Sequence, residues 1–217
     1  MVPGRSRRRS LIRALGAAAL GALVGGAREG EAIARELGAD EVARLRRGEL
    51  IRVPIDLDLA KGDYFGGISY ALISAPPAAV MEALTDPASY PHILPLTLEA
   101  TVLSKRAHDT QVRFTQGAKL GAATYVLVIR RESQSLIRFW LDPLEPHDID
   151  DCWGYFRVEA WGAHATLLTF AALLHLEAGV VKLLFLEKIR KYALGTPALV
   201  RTYVGARRRH GPGPHEG

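Results

Sequence analysis

Alternating apolar and polar residues run through the second half of the chain and predict strands with one apolar and one polar face. This alternation is typical of an antiparallel sheet that covers a core on one side. Residues 121–129 and 165–174 are apolar on both faces, as expected of central strands. Turn residues separate about six such strands. One predicted face holds Leu98, Ala100, Val102, Val112, Phe114, Gln116, Ile137, Phe139, Leu141, Phe156, Val158 and Ala160.

The stretch from residue 66 to residue 95 precedes these strands and has a different pattern. It begins with β-forming residues, and Pro76 and Pro77 end this strand because proline lacks the N–H group that a sheet needs. Pro77 suits the first turn of a helix, which we expect over residues 78–84. Asp86-Pro87 ends that helix and begins a second short helical turn.

A long amphipathic helix is predicted for residues 180–204, where apolar residues recur at helical spacing and charged residues fill the opposite side. Pro197 cannot bond back to the preceding turn, so Gly195-Thr196-Pro197 must kink or interrupt this helix. We expect the two-part helix to cover the apolar face of the sheet, with the break as a hinge.

Residues 1–27 have the composition of an export signal. A basic beginning is followed by a Gly/Ala-rich apolar run that is shorter than the ~20 strongly apolar residues of a membrane span. The run from Arg8 to Arg13 resembles the twin-arginine signal, which predicts a periplasmic location if the source is bacterial. A basic leader on a cytoplasmic protein and an organelle presequence are the alternatives.

The next segment, residues 28–65, is predicted to be a helical spacer followed by an edge strand. Residues 28–49 have one interrupted apolar stripe and an arginine-rich side, which indicates a solvated helix rather than core. Residues 50–65 alternate as an exposed or edge strand would.

The composition argues against several classes of function. The formal net charge is +5, but the basic excess lies in the tails, so a nucleic-acid surface is not predicted. Cys152 is the only cysteine, which excludes an internal disulfide and a cysteine metal cluster. The tail residues are Arg5, Arg7, Arg8, Arg9, Arg13, Arg207, Arg208 and Arg209.

Residues 142–151 concentrate carboxylates around His147 between two strands. A hard-cation site or a lid that presents His147 is one interpretation, but this segment lacks the glycine that calcium loops use for their turn. A solvated loop is the favoured interpretation, and we predict no metal and no cofactor. His147 with Asp148 or Asp150 is the alternative, as a general base.

Four further residues are interpreted as structural. His92 and His175 are predicted to be hydrogen-bonded histidines of the fold. Glu187 is placed on a solvated helix face, and Cys152 is predicted to pack in the core because no base is indicated beside it.

The order of a strand, two short helices, six antiparallel strands and a long C-terminal helix resembles the helix-grip fold of the START/Bet v 1-like (SRPBCC) superfamily. Residues 73–80, 84–87 and 90–95 resemble the opening motif of its polyketide cyclase/dehydrase and coenzyme Q-binding branch. The resemblance implies an α+β domain over residues 66–207, with a curved sheet of about seven strands. Residues 208–217 are left as a disordered tail.

The resemblance implies binding or transport of a hydrophobic small molecule, such as a lipid, quinone or polyketide, in a cavity of a few hundred Å3 between the sheet and the C-terminal helix. It transfers no catalytic residue, since the superfamily has no universal one. Transient membrane contact and the oligomeric state stay open. The residues expected to line the cavity are Phe114, Tyr125, Phe139, Phe156, Phe170, Phe185 and Tyr192.

Two alternatives remain at this stage. The first is a cyclase/dehydrase-type enzyme acting on a polyketide-like substrate, with His147, Asp150 or Tyr125 as acid–base groups. The second is a structural module whose own side chains fill the cavity.

Overall fold

The computed structural model describes residues 36–118, 121–176 and 180–210, without the side chains of residues 118, 180–185 and 210. The predicted export signal in residues 1–27 lies outside the described residues. The described helices are α1 (Ala39–Arg46), α2 (Pro77–Thr85), α3 (Tyr90–Ile93), α4 (Val180–Ala193) and α5 (Thr196–His210). The strands are β1 (Ile51–Leu59), β2 (Gly62–Ile73), β3 (Thr97–Lys105), β4 (Asp109–Ala118), β5 (Gly121–Arg131), β6 (Leu136–Leu141), β7 (Asp151–Trp161) and β8 (Ala165–His175).

The strands form one antiparallel sheet of eight, in the order β1-β2-β8-β7-β6-β5-β4-β3. β3 to β8 follow one another as neighbours, and β2 pairs with β8, so the β1–β2 hairpin extends the sheet beyond its last strand. The predicted helix-grip architecture is confirmed: a curved, open sheet and a long C-terminal helical segment. The sheet has eight strands rather than about seven because the N-terminal edge strand joins it.

The sheet has two apolar faces on its β1–β2–β8–β7 side. We call the face that carries Phe114, Phe139, Phe156 and Phe170 the inner face; it packs against α2, α3 and α5. The alternation predicts a polar opposite face, the outer face, and this is wrong for part of the sheet. A second core cluster lies there, formed by Leu45, Ile51, Ile68, Tyr70, Tyr155, Leu167 and Ala171.

Helix α1 covers this outer cluster. Gly38 begins the helix, and its N–H donates to a carboxylate oxygen of Glu41 at 3.0 Å. Leu45 is fully buried. The prediction of a solvated spacer is therefore wrong for residues 39–46, because Ile51 and Tyr70 provide an apolar surface on which α1 packs.

The proline-rich stretch folds as predicted. Pro77 occupies the first turn of α2, and the Asp86 carboxylate accepts the N–H of Ala88 at 3.1 Å where the 3-10 turn Pro87–Ser89 begins. The Ser89 hydroxyl donates to Asp86 O at 2.7 Å and ties the two helical segments together. These helices close the inner face at one end of the sheet.

The break in the C-terminal helix is confirmed. α4 ends at Ala193 and α5 begins at Thr196, whose hydroxyl donates to Ala193 O at 2.8 Å. The prediction of a disordered tail from residue 208 is wrong for residues 208–210, since α5 continues to His210 and the Arg208 guanidinium binds Ser74 O. Among the described helices, none combines the length and apolar character that a membrane-spanning segment requires.

Both edges of the sheet carry irregular or polar features. β1 contains Pro54, which has no N–H to donate, and Asp56 and Asp58 on the side of α4. β3 has register shifts between Thr97 and Glu99 and between Val102 and Ser104.

Candidate functional site

Three phenylalanines from adjacent strands meet on the inner face. The Phe156 and Phe170 ring centroids are 4.8 Å apart, and the Phe139 ring lies 5.8 Å from the first and 6.0 Å from the second. Gly154 makes room for Phe139, since a Cβ atom there would lie 2.4 Å from Phe139 Cζ. These contacts form an aromatic floor across β6, β7 and β8, and we call the three residues the phenylalanine floor.

A second aromatic group lies on β4 and β5. Phe114 is 6.1 Å from Tyr125 and 5.6 Å from Tyr90 of α3, between ring centroids. Burial raises the pKa of the Tyr90 hydroxyl, with a further contribution from the Asp86 charge. This group connects the floor of the inner face to the short helices that close it.

A polar pair interrupts the apolar inner face. The Tyr125 hydroxyl binds Gln116 Oε1, and Gln116 Nε2 donates to Thr97 Oγ1 at 2.8 Å and to Pro95 O at 3.2 Å. Burial raises the pKa of Tyr125, and the neighbouring Cys152 adds to the effect. The pair is therefore neutral at physiological pH.

Cys152 lies on the same face at the start of β7 and is buried. Burial, with a smaller effect of the Asp151 charge, raises the pKa of its thiol to about 12. The thiol is thus protonated near neutral pH and has little nucleophilic character.

Side chains from the helices and one loop cover the inner face. Val80, Met81 and Leu84 of α2 and Val200 and Val204 of α5 belong to its core cluster. The loop between β6 and β7 adds Ile149, which is buried. Asp148 holds this loop on β5, because its N–H donates to Thr124 O at 2.9 Å and its carboxylate accepts Thr124 N–H at 2.7 Å.

The structure brings five of the seven predicted cavity residues together on the inner face. These are Phe114, Tyr125, Phe139, Phe156 and Phe170. Tyr192 lies apart from them on α4, 39% exposed and beneath the Lys188 ammonium at 6.0 Å. The Phe185 side chain lies outside the described residues.

The three alternative acid–base residues are divided between surface and interior. His147 and Asp150 are exposed on the β6–β7 loop, whereas Tyr125 is buried. Two other carboxylates of this segment bind the protein itself: Asp148 binds β5, and Asp142 accepts Gln111 Nε2 at 2.6 Å. Within the described ranges, no group of three or more His, Cys, Asp or Glu side chains is placed to hold a metal ion.

His92 and His175 take part in local packing. His175 Nδ1 lies 2.9 Å from Asp63 O, and its ring is 5.3 Å from Tyr64. The His92 ring stacks on Tyr203 of α5 at 5.6 Å. Glu187 is exposed on α4, as predicted for a solvated helix face.

Sequence reasoning missed two residues of this site. Gln116 follows Phe114 at strand spacing, so the alternation already places it on the inner face, but its bond to Tyr125 depends on the β4–β5 register. Ile149 is the one apolar residue within the 147–151 run, and that contrast is a signal of an inward-pointing side chain.

Two surface pockets lie outside the phenylalanine floor. One, of about 190 Å3, is on the outer face and includes Arg157 and Glu159. The other, of about 350 Å3, is at the β1–β2 hairpin and includes Asp56, Asp58 and Asp63. Both combine charged with apolar residues, and the second also includes Phe65 of β2 and Leu186 of α4.

Comparison with known families and structures agrees with this architecture. Residues 73–185, more than half of the chain, match the model of the family described as polyketide cyclase/dehydrase and lipid transport. The search of curated proteins found no significant match.

Several solved structures are similar to this chain. The Zhui aromatase/cyclase from a Streptomyces species is 17% identical with a TM-score of 0.57, over 76% of this chain and 99% of that one. A STAR-related lipid transfer protein fragment from Xanthomonas axonopodis is 12% identical with a TM-score of 0.60, over 72% and 93%. A START superfamily protein from Mycobacterium smegmatis is 14% identical with a TM-score of 0.52, over 66% and 96%. At these identities, the likeness shows the fold alone.

Proposed function

Because this chain belongs to the polyketide cyclase/dehydrase and lipid transport family, we propose that it binds and carries a hydrophobic small molecule between the inner face and the helices α4 and α5. The fold supplies a concave apolar surface, and the two-part C-terminal helix supplies a cover with a break at Gly195.

The observation that carries this proposal is the chemistry of the inner face. The phenylalanine floor offers a continuous apolar surface, and Leu127 and Leu141 extend it. The buried charged residues of the described part are Arg138 and Asp142, on the outer face, and Arg190, which binds Asp56 at the sheet edge. A surface of this kind favours an uncharged apolar ligand, because an ion placed there would lose its hydration without gaining a counter-charge.

The same residues support a carrier over the cyclase/dehydrase alternative. General acid–base catalysis is most efficient when the catalytic pKa lies near the working pH. Among the described residues of the inner face, Tyr125 and Cys152 are titratable, and burial raises the pKa of both. Neither exchanges protons readily at neutral pH, so the role that suits them is packing and hydrogen bonding.

Ligand recovery and a binding assay test the proposal together. Native mass spectrometry of the protein purified from its own host is expected to detect a co-purifying apolar molecule. Leu127→Trp adds bulk on the inner face and is expected to weaken binding of the hydrocarbon fluorophore diphenylhexatriene by tenfold or more. Val128→Trp, one residue along on the outer face, is the matched control.

The binding assay and the ligand recovery distinguish three outcomes. Loss of binding with Leu127→Trp alone supports a site on the inner face. Equal effects of both substitutions would place the fluorophore elsewhere. Absence of any bound molecule, together with absence of fluorophore binding, would contradict the carrier function.

A further inference from the structure

We propose that Tyr125 selects ligands that carry a neutral hydrogen-bond donor, such as a hydroxyl group, over ketones and carboxylates of the same size. This inference rests on the proposed function and specifies the ligand class. It follows from the direction of the hydrogen bonds in the polar pair of the inner face, Tyr125 and Gln116.

The orientation of the Gln116 amide is fixed by its partners. The carbonyl oxygen of Pro95 can only accept a hydrogen bond, so the group 3.2 Å from it must be the Gln116 NH2 group. The second hydrogen of this group is directed to Thr97 Oγ1 at 2.8 Å. Both amide hydrogens are thereby used, and Gln116 Oε1 is turned towards Tyr125.

This orientation determines the direction of the Tyr125 hydrogen bond. Because Gln116 presents an oxygen, the phenolic hydrogen of Tyr125 must be donated to it. A phenol has one hydrogen to donate and can also accept. Among the described residues, no hydrogen bond is donated to the Tyr125 oxygen, so this oxygen is left to accept a bond from a bound molecule.

The polar pair therefore presents an acceptor on a largely apolar surface. Tyr125 is 8% exposed and lies 6.1 Å from Phe114, so a ligand atom that reaches it is largely removed from water. A hydroxyl group of a ligand can donate to the Tyr125 oxygen without disturbing the pair. Burial holds the pKa of Tyr125 high, so its oxygen remains neutral.

A ketone or a carboxylate is expected to bind beside Tyr125 with lower affinity than an alcohol. To serve either one, Tyr125 must turn its hydrogen away from Gln116, and the half-buried Gln116 Oε1 then loses its partner. An acceptor that is partly removed from water and loses its hydrogen bond costs free energy. We expect this cost to appear as a preference of about tenfold for an alcohol over the matched ketone. A carboxylate has the additional cost of burying its charge.

The experiment compares three competitors of one chain length: a long-chain primary alcohol, the corresponding methyl ketone and the carboxylic acid. Each displaces diphenylhexatriene, which has no polar atom, from the full-length protein. The expected order of affinity is alcohol, then ketone, then carboxylate. Tyr125→Phe is expected to remove the preference for the alcohol, measured as the ratio of the alcohol and ketone affinities of that same variant.

For a second variant we expect the preference between alcohol and ketone to invert, which a purely structural role of Tyr125 would not produce. Gln116→Met removes the oxygen that engages the Tyr125 hydrogen, so the tyrosine can donate to a ketone, and the preference should shift towards the ketone. Tyr155→Phe, which removes a tyrosine hydroxyl from the outer face, is the control and should change nothing. Thermal unfolding establishes that each variant is folded.

The failure of this inference differs from the failure of the proposed function. If the unmodified protein binds the fluorophore but alcohol and ketone compete equally, or the ketone competes better, the inference is overturned and the carrier function stands. If Tyr125→Phe keeps the alcohol preference, the inference is likewise overturned. Absence of fluorophore binding to the unmodified protein would overturn both.

Discussion

The guanidinium group of Arg190 on α4 binds the carboxylate of Asp56 on β1, joining residues that are 134 positions apart. The Arg190 side chain is nearly buried, while Asp56 is mostly exposed. This ion pair fixes α4 against the edge of the sheet, next to the break at Gly195. It is therefore placed to hold the cover of the inner face closed.

Asp56→Asn tests this closing contact. The substitution removes the counter-charge of a nearly buried guanidinium, and we expect it to lower the free energy of unfolding by about 1–2 kcal/mol, between the values typical of exposed and buried pairs. Release of diphenylhexatriene, followed by stopped-flow fluorescence, should become several-fold faster. Asp58→Asn, on the same side of β1, is the control. Unchanged release with Asp56→Asn would show that α4 does not limit ligand exchange.

Two buried hydroxyl groups are expected to respond in opposite ways to removal. Ser69 Oγ has no hydrogen-bond partner among the described residues, whereas Thr166 Oγ1 donates to Ala75 O at 2.7 Å. Ser69→Ala should leave the free energy of unfolding unchanged or raise it. Thr166→Val should lower it by about 1–2 kcal/mol, since Ala75 O loses a donor. Chemical denaturation measures both, and an equal loss for the two variants would mean that Ser69 has a partner.

Leu45 tests whether α1 is part of the core. It is fully buried in the outer cluster, so Leu45→Ala should lower the free energy of unfolding by about 2–4 kcal/mol. Val42→Ala on the same helix removes a half-buried side chain and should cost clearly less. Chemical denaturation of both variants supplies the comparison. If both variants lower the free energy of unfolding by the same small amount, α1 is a solvated spacer rather than part of the core.

The Cys152 thiol provides a pH-dependent prediction. Burial raises its pKa from the ordinary 9.0 to about 12, so the reactive thiolate is about a thousandfold rarer near neutral pH than in an unfolded chain. Alkylation by iodoacetamide should be slower in the folded protein by at least that factor, and should accelerate as the pH rises towards the raised pKa. The denatured protein is the control. Rapid labelling of the folded protein at neutral pH would contradict a buried, protonated thiol.

We also propose that residues 1–27 direct export through the twin-arginine route, which carries folded proteins. A reporter fused to residues 1–35 should be transported. Replacing Arg8 and Arg9 by lysine should abolish transport, because this route reads the arginine pair. A truncated fusion that lacks residues 1–27 is the control. Transport that persists after the lysine substitutions would rule out this route.

The features that were predictable from the sequence are those set by local chemistry. Pro77 and Pro197 act through their own missing N–H groups, so the start of α2 and the break before α5 follow from the residues themselves. The inner face was predictable for a similar reason, since strand spacing alone places Phe139, Phe156 and Phe170 on one side of their strands.

The features that were not predictable depend on partners from distant segments. Leu45 is buried because residues of β2, β7 and β8 form an apolar patch on the outer face. The residues next to Leu45 in the sequence do not indicate that this patch exists. Gln116 meets Tyr125 because the β4–β5 register places Phe114 opposite Tyr125 and Gln116 on the diagonal. A shift of one residue in this register would have turned either side chain to the other face.

The two edges of the sheet bear on how this chain behaves at high concentration. An open sheet ends in strands whose free backbone groups can pair with another molecule, which is a common route to aggregation. Pro54, Asp56 and Asp58 on β1, and the two register shifts in β3, hinder such pairing at both ends. The sheet can therefore remain unclosed at both ends while its edges discourage the growth of intermolecular sheets.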